Sequence, residues 1–201
     1  MKETPEKSDT SRKAAPHMRD AAETKKRILK EAISLFSRRT YESVSTRDIA
    51  AAAGINAALI SRYFGSKRGL FHEVFQNIVR ENRNTADSSK WKETIFQKFA
   101  EAFEEEAGGP KTTNLRLVLL SSLSPQVSDI VPGFFEQLME SVASAMPDDS
   151  QSDKVGALLA TAIGFVLVFR VLQNADRPVE DSAVIQSHFR QMVEVLFTPT
   201  A

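Results

Sequence analysis

Residues 45–69 read STRDIAAAAGINAALISRYFGSKRG. Ser45 suits a helix N-cap, and Asp48 falls at the third helical position, where a carboxylate faces the unpaired amides of the first turn. Gly54 ends that short helix, because glycine readily takes the positive φ that a helix C-terminus asks for. Asn56 can cap a second short helix, NAALISRYF. Gly65 and Ser66 break and recap the chain before a longer helix over about 67–83. Two short helices across the tight turn Ala53-Gly54-Ile55-Asn56 have the layout of a helix-turn-helix. Ile49, Ala53, Ile55, Ile60 and Phe64 can form its core with Ile28, Leu35 and Phe36 of a preceding helix. This leaves Ala57, Ala58, Ser61 and Arg62 on the outer side. A helix with small residues at its N-terminal end and an arginine beside them can enter a major groove without obstruction.

Outward from this stretch, the whole chain reads as helix. Of 201 residues, 42% are hydrophobic and 26% charged, and there are only 8 glycines and 8 prolines. That composition fits a globular, helical protein and argues against disordered or fibrous classes. Residues 1–20 are polar and aperiodic, and are expected to be a disordered tail. From Ala21, Ile28, Ala32, Leu35 and Phe36 form one apolar stripe. Further helices are expected over about 91–106, 113–123, 126–146 (interrupted near Val131-Pro132), 155–172 and 181–197. The run Glu104-Glu105-Glu106 reads most simply as a solvated helix end. The fold class is therefore all-α, with about nine helices and no strand. The division expected is a tail at 1–20, a head at 21–66 and a helical body at 67–201.

The net charge of zero conceals an asymmetry. Residues 1–84 hold 17 Lys and Arg against 10 Asp and Glu, whereas residues 85–201 hold 9 against 16. A basic half joined to an acidic half suggests that the first half meets a polyanion. Chance clustering is the bland alternative.

At the motif residues the sequence resembles the TetR-type (tetracycline-repressor) family of bacterial transcription regulators. The family pattern is a threonine-like cap, then I-A, A-G-[VI]-[ST], L-Y-x-[YH]-F and x-x-K-x-x-L. Here it reads Ser45, Ile49-Ala50, Ala53-Gly54-Ile55-Asn56, Ile60-Ser61-Arg62-Tyr63-Phe64, Lys67 and Leu70. Ser61 stands where the family usually has tyrosine, which removes one phosphate contact. The run RYFGSKRGLF resembles a branch of the family that carries YFGSK. The resemblance covers residues 21–72 and is mute about a ligand. It implies a helix-turn-helix head, a helical body for effector binding and dimerisation, and a homodimer on palindromic double-stranded DNA.

The residues expected at DNA are Thr46, Arg47, Asn56, Ala57, Ala58, Ser61, Arg62, Tyr63 and Lys67. Arg62 could donate two hydrogen bonds to guanine. Ala57 and Ala58 could touch thymine methyls or simply give clearance. Thr46 and Arg47 are placed for phosphate or groove-edge contacts. Tyr63 and Lys67 resemble the family's phosphate contacts, and Lys67 stands at a helix N-terminus that itself favours an anion. Lys25, Lys26 and Arg27 could add charge near the backbone, or be a solvated face.

A two-fold site requires a two-fold surface. Gly156, Ala160 and Gly164 repeat every fourth residue and are bordered by Ile163 and Leu167. Phe189 and Val193 supply an apolar face on the last helix. These seven residues are the expected interface, and plain core is the alternative reading. Nine of the 13 phenylalanines follow residue 90. Phe99, Phe103, Phe134, Phe165 and Phe169 are expected to line a cavity for a small hydrophobic or amphipathic effector. Such aromatic stripes are also ordinary core.

No cofactor or metal is expected. Cysteine is absent, the three histidines are scattered, and no GxGxxG, P-loop or HExxH string occurs, so the chain is not read as an enzyme. Residues 155–169 are uncharged but too short for a bilayer span, which wants about 20 residues. With no apolar leader in the first 20 residues, a cytoplasmic location is expected. The reading that follows is a ligand-responsive transcriptional repressor. Its rival is a helical protein-interaction module without specific DNA binding.

Overall fold

A computed structural model describes residues 16–82, 88–105, 109–146, 152–171 and 182–198. Among these are nine α-helices and no strand: α1 (Pro16–Phe36), α2 (Thr46–Ala53), α3 (Ala58–Phe64), α4 (Lys67–Asn82), α5 (Trp91–Glu104), α6 (Pro110–Ser122), α7 (Ile130–Ala143), α8 (Ser152–Val166) and α9 (Ser182–Leu196). A single π-helical turn, Leu167–Val171, continues α8. No described helix is long and apolar enough to cross a membrane.

Three boundaries differ from the sequence reading. α1 starts at Pro16, so the expected tail over 1–20 gives way to helix before Ala21. Proline suits a first turn, where its missing N–H has no partner to lose. The rest of that tail, 1–15, lies outside the described residues. Pro132 falls in the first turn of α7 rather than inside a longer helix, so it interrupts nothing. Finally, Glu105 is no idle solvated end. Its carboxylate accepts the backbone N–H groups of Lys111 and Thr112 at 3.0 Å each and so caps the start of α6.

The short helices of the head are held by their caps. Ser45 Oγ accepts the Asp48 N–H at 3.1 Å, and Asp48 returns the favour to the Ser45 N–H at 2.8 Å, a complete capping box. The hydrogen bond from the Ser45 backbone holds the Asp48 carboxyl below its usual range. Gly54 closes α2 in the left-handed region at φ 63°. Asn56 Oδ1 accepts the Ala58 N–H at 2.9 Å and starts α3. Where α3 hands over to α4, a Cβ on Gly69 would lie 2.1 Å from the Phe64 carbonyl oxygen, so only glycine fits that approach. Replacing Ser45 with alanine is expected to cost about 1 kcal/mol. In a chain of this size that lowers the melting temperature by about 2–4 °C, and calorimetry showing no change would remove the cap from this account.

Two apolar cores form. The front core joins Ile28, Phe36, Val44, Ile49 and Ile60 of the head to Phe71, Phe75 and Ile78 of α4, then continues into Leu117, Val127, Val131 and Phe134 of the body. Packing therefore runs unbroken past residue 66, with α4 shared by head and body. The rear core stacks Trp91, Phe96, Phe99 and Phe103 of α5 against Leu158 and Val166 of α8 and Ile185, Phe189 and Val193 of α9.

Candidate nucleic-acid interface and helical-body cavity

α3 packs inward through Ile60, which is fully buried, and through half-buried Ala57, Tyr63 and Phe64. Ala58, Ser61 and Arg62 remain exposed on its other side, as does Arg47 at the start of α2. Thr46 is half-buried beside Arg47. A basic, small-residue face thus stands clear of the head, with the Arg62 guanidinium at its edge.

Three of the expected DNA residues behave differently. Ala57 is turned into the front core, because it occupies the position that closes the turn onto α3. Asn56 is exposed, yet its side-chain oxygen is engaged in capping Ala58. Lys67 is engaged within the protein. Its ammonium donates to the Tyr41 carbonyl and lies 3.9 Å from the centre of the Tyr41 ring. Burial pushes its pKa down, partly offset by Glu42 and Asp48 nearby. The physical reason is that α4 begins against the α1–α2 loop, where an ammonium gains a carbonyl and an aromatic face. Tyr63 keeps a basic neighbour, with the Lys25 ammonium 5.6 Å from its ring centre.

This placement makes a sharp expectation for Lys67→Met. A phosphate contact would be seen as a fall of about one unit in the salt slope of DNA binding. With Lys67 engaged by Tyr41, the slope should stay unchanged while the protein loses about 1.5–3 kcal/mol of stability, the worth of one charged hydrogen bond. A slope reduced by one unit with unaltered melting would return Lys67 to the DNA.

Polar contacts tie α4 and the α1–α2 loop to the segment between α6 and α7. Arg68, in the first turn of α4, donates to the Gln126 carbonyl and to the Asp129 carboxylate, whose pKa the arginine lowers. Ser124 donates to Glu42 in the α1–α2 loop, holding that carboxyl below its ordinary range. Both contacts converge on the segment 123–129 between α6 and α7. No local sequence pattern points to Arg68 or Ser124, because their partners are 61 and 82 residues away.

Of the expected effector phenylalanines, Phe99, Phe103, Phe165 and Phe169 form one aromatic cluster, and only Phe99 and Phe134 line a common cavity. A cavity of about 230 Å³ lies among α4, α5, α6, α7 and α8, walled by Phe99, Phe134, Phe135, Leu138, Val118 and Ile78 and edged by Lys98, Lys111 and Asn114. Phe99 and Phe134 belong to it. Phe103 and Phe169 pair with each other in the rear core, 6.3 Å between ring centres. Phe165 turns towards α9, where it floors a groove with Leu158 and Val193. Each ring follows the helix opposite it rather than its own stripe.

The expected interface residues divide as well. Gly156 and Ala160 are exposed, and no atom lies within 4 Å of a Cβ built on Gly156 or Gly164. Gly164 and Leu167 are half-buried. Ile163 instead faces the cavity. Phe189 and Val193 are buried in the rear core at 0% and 1% exposure, so neither can present an open face. The exposed large apolar residues of α9 are Val184, Met192 and Val195. Met192 and Val195 flank an apolar groove of about 650 Å³ between α8 and α9, with His188 and Thr161 at its sides.

The head matches a known domain. Residues 28–74 correspond to the family described as bacterial regulatory proteins, tetR family. Over 66 residues the chain is 32% identical to the probable HTH-type transcriptional regulator YttP of Bacillus subtilis (strain 168). That match spans 33% of this chain and 32% of YttP, so about a third of each. The complete fold is similar to NalD, the secondary repressor of the MexAB-OprM multidrug efflux pump in Pseudomonas aeruginosa. There the TM-score is 0.56 at 16% identity, covering 86% of this chain and 96% of NalD. It is also similar to the multidrug binding protein EbrR complexed with ethidium, with a TM-score of 0.57 at 18% identity over 87% of this chain and 98% of EbrR. The capped helix-turn-helix at residues 45–64 thus lies within the stretch, residues 28–74, that matches the bacterial tetR family of regulatory proteins, and the helical body shares the fold of these regulators.

Proposed function

We propose that this protein is a homodimeric transcriptional regulator that represses by binding a palindromic operator and leaves it when a small hydrophobic or amphipathic effector enters the body. The division of labour is a head at 21–66 and an effector-binding and dimerisation body at 67–201, working in the cytoplasm. Within the family we assign it to the branch that carries YFGSK, Tyr63–Lys67. The observation that carries the reading is the outward face of α3, where Ala58, Ser61 and Arg62 are exposed on a helix locked by its caps. Arg62 is the base reader of that face, donating to guanine in the major groove. Arg47 and Thr46 meet the backbone, with Tyr63 at the rim.

The coupling runs through the segment 123–129. Leu115 and Val118 of α6 and Phe134 and Leu138 of α7 wall the cavity, and the segment between these helices holds Arg68 of α4 and Glu42 of the head. A ligand that spreads α6 from α7 shifts these anchors and re-aims α4. Two heads must match half-sites about 34–36 Å apart or a multiple of that. A displacement of a few ångströms therefore releases one half-site. Linkage requires the ligand to prefer the DNA-free form.

Selection of genomic fragments by the purified protein, followed by sequencing, tests the reading. It should return a palindrome bound with an affinity that falls steeply as salt rises. A flat salt response would favour an interaction module that does not bind DNA. For Arg62→Ala, discrimination at one position of each half-site should drop by about 1–3 kcal/mol. An unchanged preference across all positions would show that Arg62 does not read bases.

A further inference from the structure

A second hollow lies on the other side of Phe134, in the seam between α4 and α7. It measures about 470 Å³ and shares only Phe134 with the wall of the α4–α8 cavity. Its floor is apolar, made by Phe75, Val79 and Phe134, with Phe75 edge-on to Phe134 at 5.1 Å. Its two charged groups, Arg68 and Asp129, are bonded to each other. Its rim also carries Gln76 of α4 and Gln137 of α7, both half-buried, and the exposed His72. Among the described residues, none of these three side chains has a hydrogen-bond partner.

Gly133 keeps the hollow open. It lies within α7, where glycine is less favourable than any ordinary side chain. Its φ is not positive, and outside its own turn of helix nothing lies within 4 Å of a Cβ built on it. Neither backbone nor packing asks for glycine at 133. What the missing side chain does is leave space over the apolar floor.

We infer that the α4–α7 hollow is a binding site for an uncharged aromatic carboxamide: its ring lies over Gly133 on the apolar floor, and its amide meets the Gln76 and Gln137 amides. A primary amide carries donors and an acceptor on one edge, as each glutamine does, so each can give and take a hydrogen bond. An ion gains less, because Arg68 and Asp129 already answer each other and a charge without a partner loses hydration. A volume of about 470 Å³ is about sixteen water volumes at ~30 Å³ each, room for about ten to fifteen heavy atoms. A molecule held there touches both helices, so it bears on how α4 is set against α7.

The test uses three probes with one ring: benzamide, benzoate and benzylammonium. Binding to the full-length protein is read by ligand-observed NMR titration. Benzamide should bind at least about fivefold tighter than either ion, the worth of one good hydrogen bond. Gly133→Leu should fill the hollow and abolish benzamide binding, while its melting temperature stays at or above that of the wild type. Gln76→Leu combined with Gln137→Leu leaves the hollow open, and should bring benzamide down to the level of the two ions. Should Gly133→Leu melt below the wild type, the glutamine variant alone decides. An unchanged benzamide affinity in either folded variant places the probe elsewhere, the α4–α8 cavity included, and overturns the inference. So does equal binding of the three probes, tighter binding of an ion, or no binding of benzamide. No DNA enters the measurement, so its result is independent of the operator-binding reading above.

Discussion

Phe189→Ala is expected to destabilise the folded chain by about 3–5 kcal/mol, the cost of emptying a fully buried phenylalanine site. Phe189 has no exposed surface. Its ring stacks on Phe99 at 3.8 Å between centres and at 15°, with Phe96 and Phe165 edge-on at 6.2 and 6.3 Å. Three helices, α5, α8 and α9, meet on that one side chain, so the void cannot close by moving one neighbour. At about 2–4 °C per kcal/mol, the melting temperature should fall by roughly 6–20 °C. The pattern of the loss matters as much as its size. A residue at a subunit contact would cost stability that returns at high protein concentration, because association adds to folding by mass action. The Phe189→Ala deficit should persist as the concentration is raised. A loss that vanishes at high concentration would put Phe189 back at the interface. Because Phe99 also walls the cavity, the variant should weaken effector binding without changing the sequence preference of α3.

Phe189 also marks where sequence reasoning reaches its limit. The head was legible because its signals are local. Ser45 and Asp48 are three residues apart, Gly54 and Asn56 flank one turn, and each forms the contact its position implies. The all-helical class followed from composition and from apolar stripes of helical period. Stripes say which residues turn away from water, but not which helix they meet. Phe99, Phe103, Phe134, Phe165 and Phe169 are all on apolar faces, yet they serve two different cores and a groove. Lys67 shows the same limit for charge. Its position at a helix start suits an anion, and only the fold brings the Tyr41 carbonyl, 26 residues away, into its reach. Lys98 and Lys111 were invisible as a pair for that reason. Nothing in their spacing says that α5 and α6 turn both towards one cavity.

Val195→Asp combined with Met192→Asp is expected to leave a folded monomer that has lost the palindrome. Val195 is 77% exposed and Met192 47%, and both flank the apolar groove between α8 and α9. Large apolar side chains left open on adjoining helices mark an association surface. Beside them, Gly156 and Ala160 offer a smooth strip on which a second helix can approach closely. A copy of the same two helices, related by a two-fold axis, would fill both the groove and the strip, giving a four-helix contact. Two carboxylates placed in that contact would each be desolvated without a partner, which costs several kcal/mol per charge. In the isolated chain both positions face water, so the fold should tolerate them, unlike Phe189→Ala. Sedimentation should therefore report a monomer whose helical content is that of the wild type. Operator affinity should drop by at least about a hundredfold, because linking two half-site contacts contributes an effective concentration that a single head lacks. Binding to an isolated half-site should be unaffected, since Ala58, Ser61 and Arg62 lie on a separate part of the molecule. A variant that remains dimeric in sedimentation would move the two-fold contact away from α8 and α9. One that is monomeric yet binds the full palindrome as tightly as the wild type would mean that the two heads do not act together.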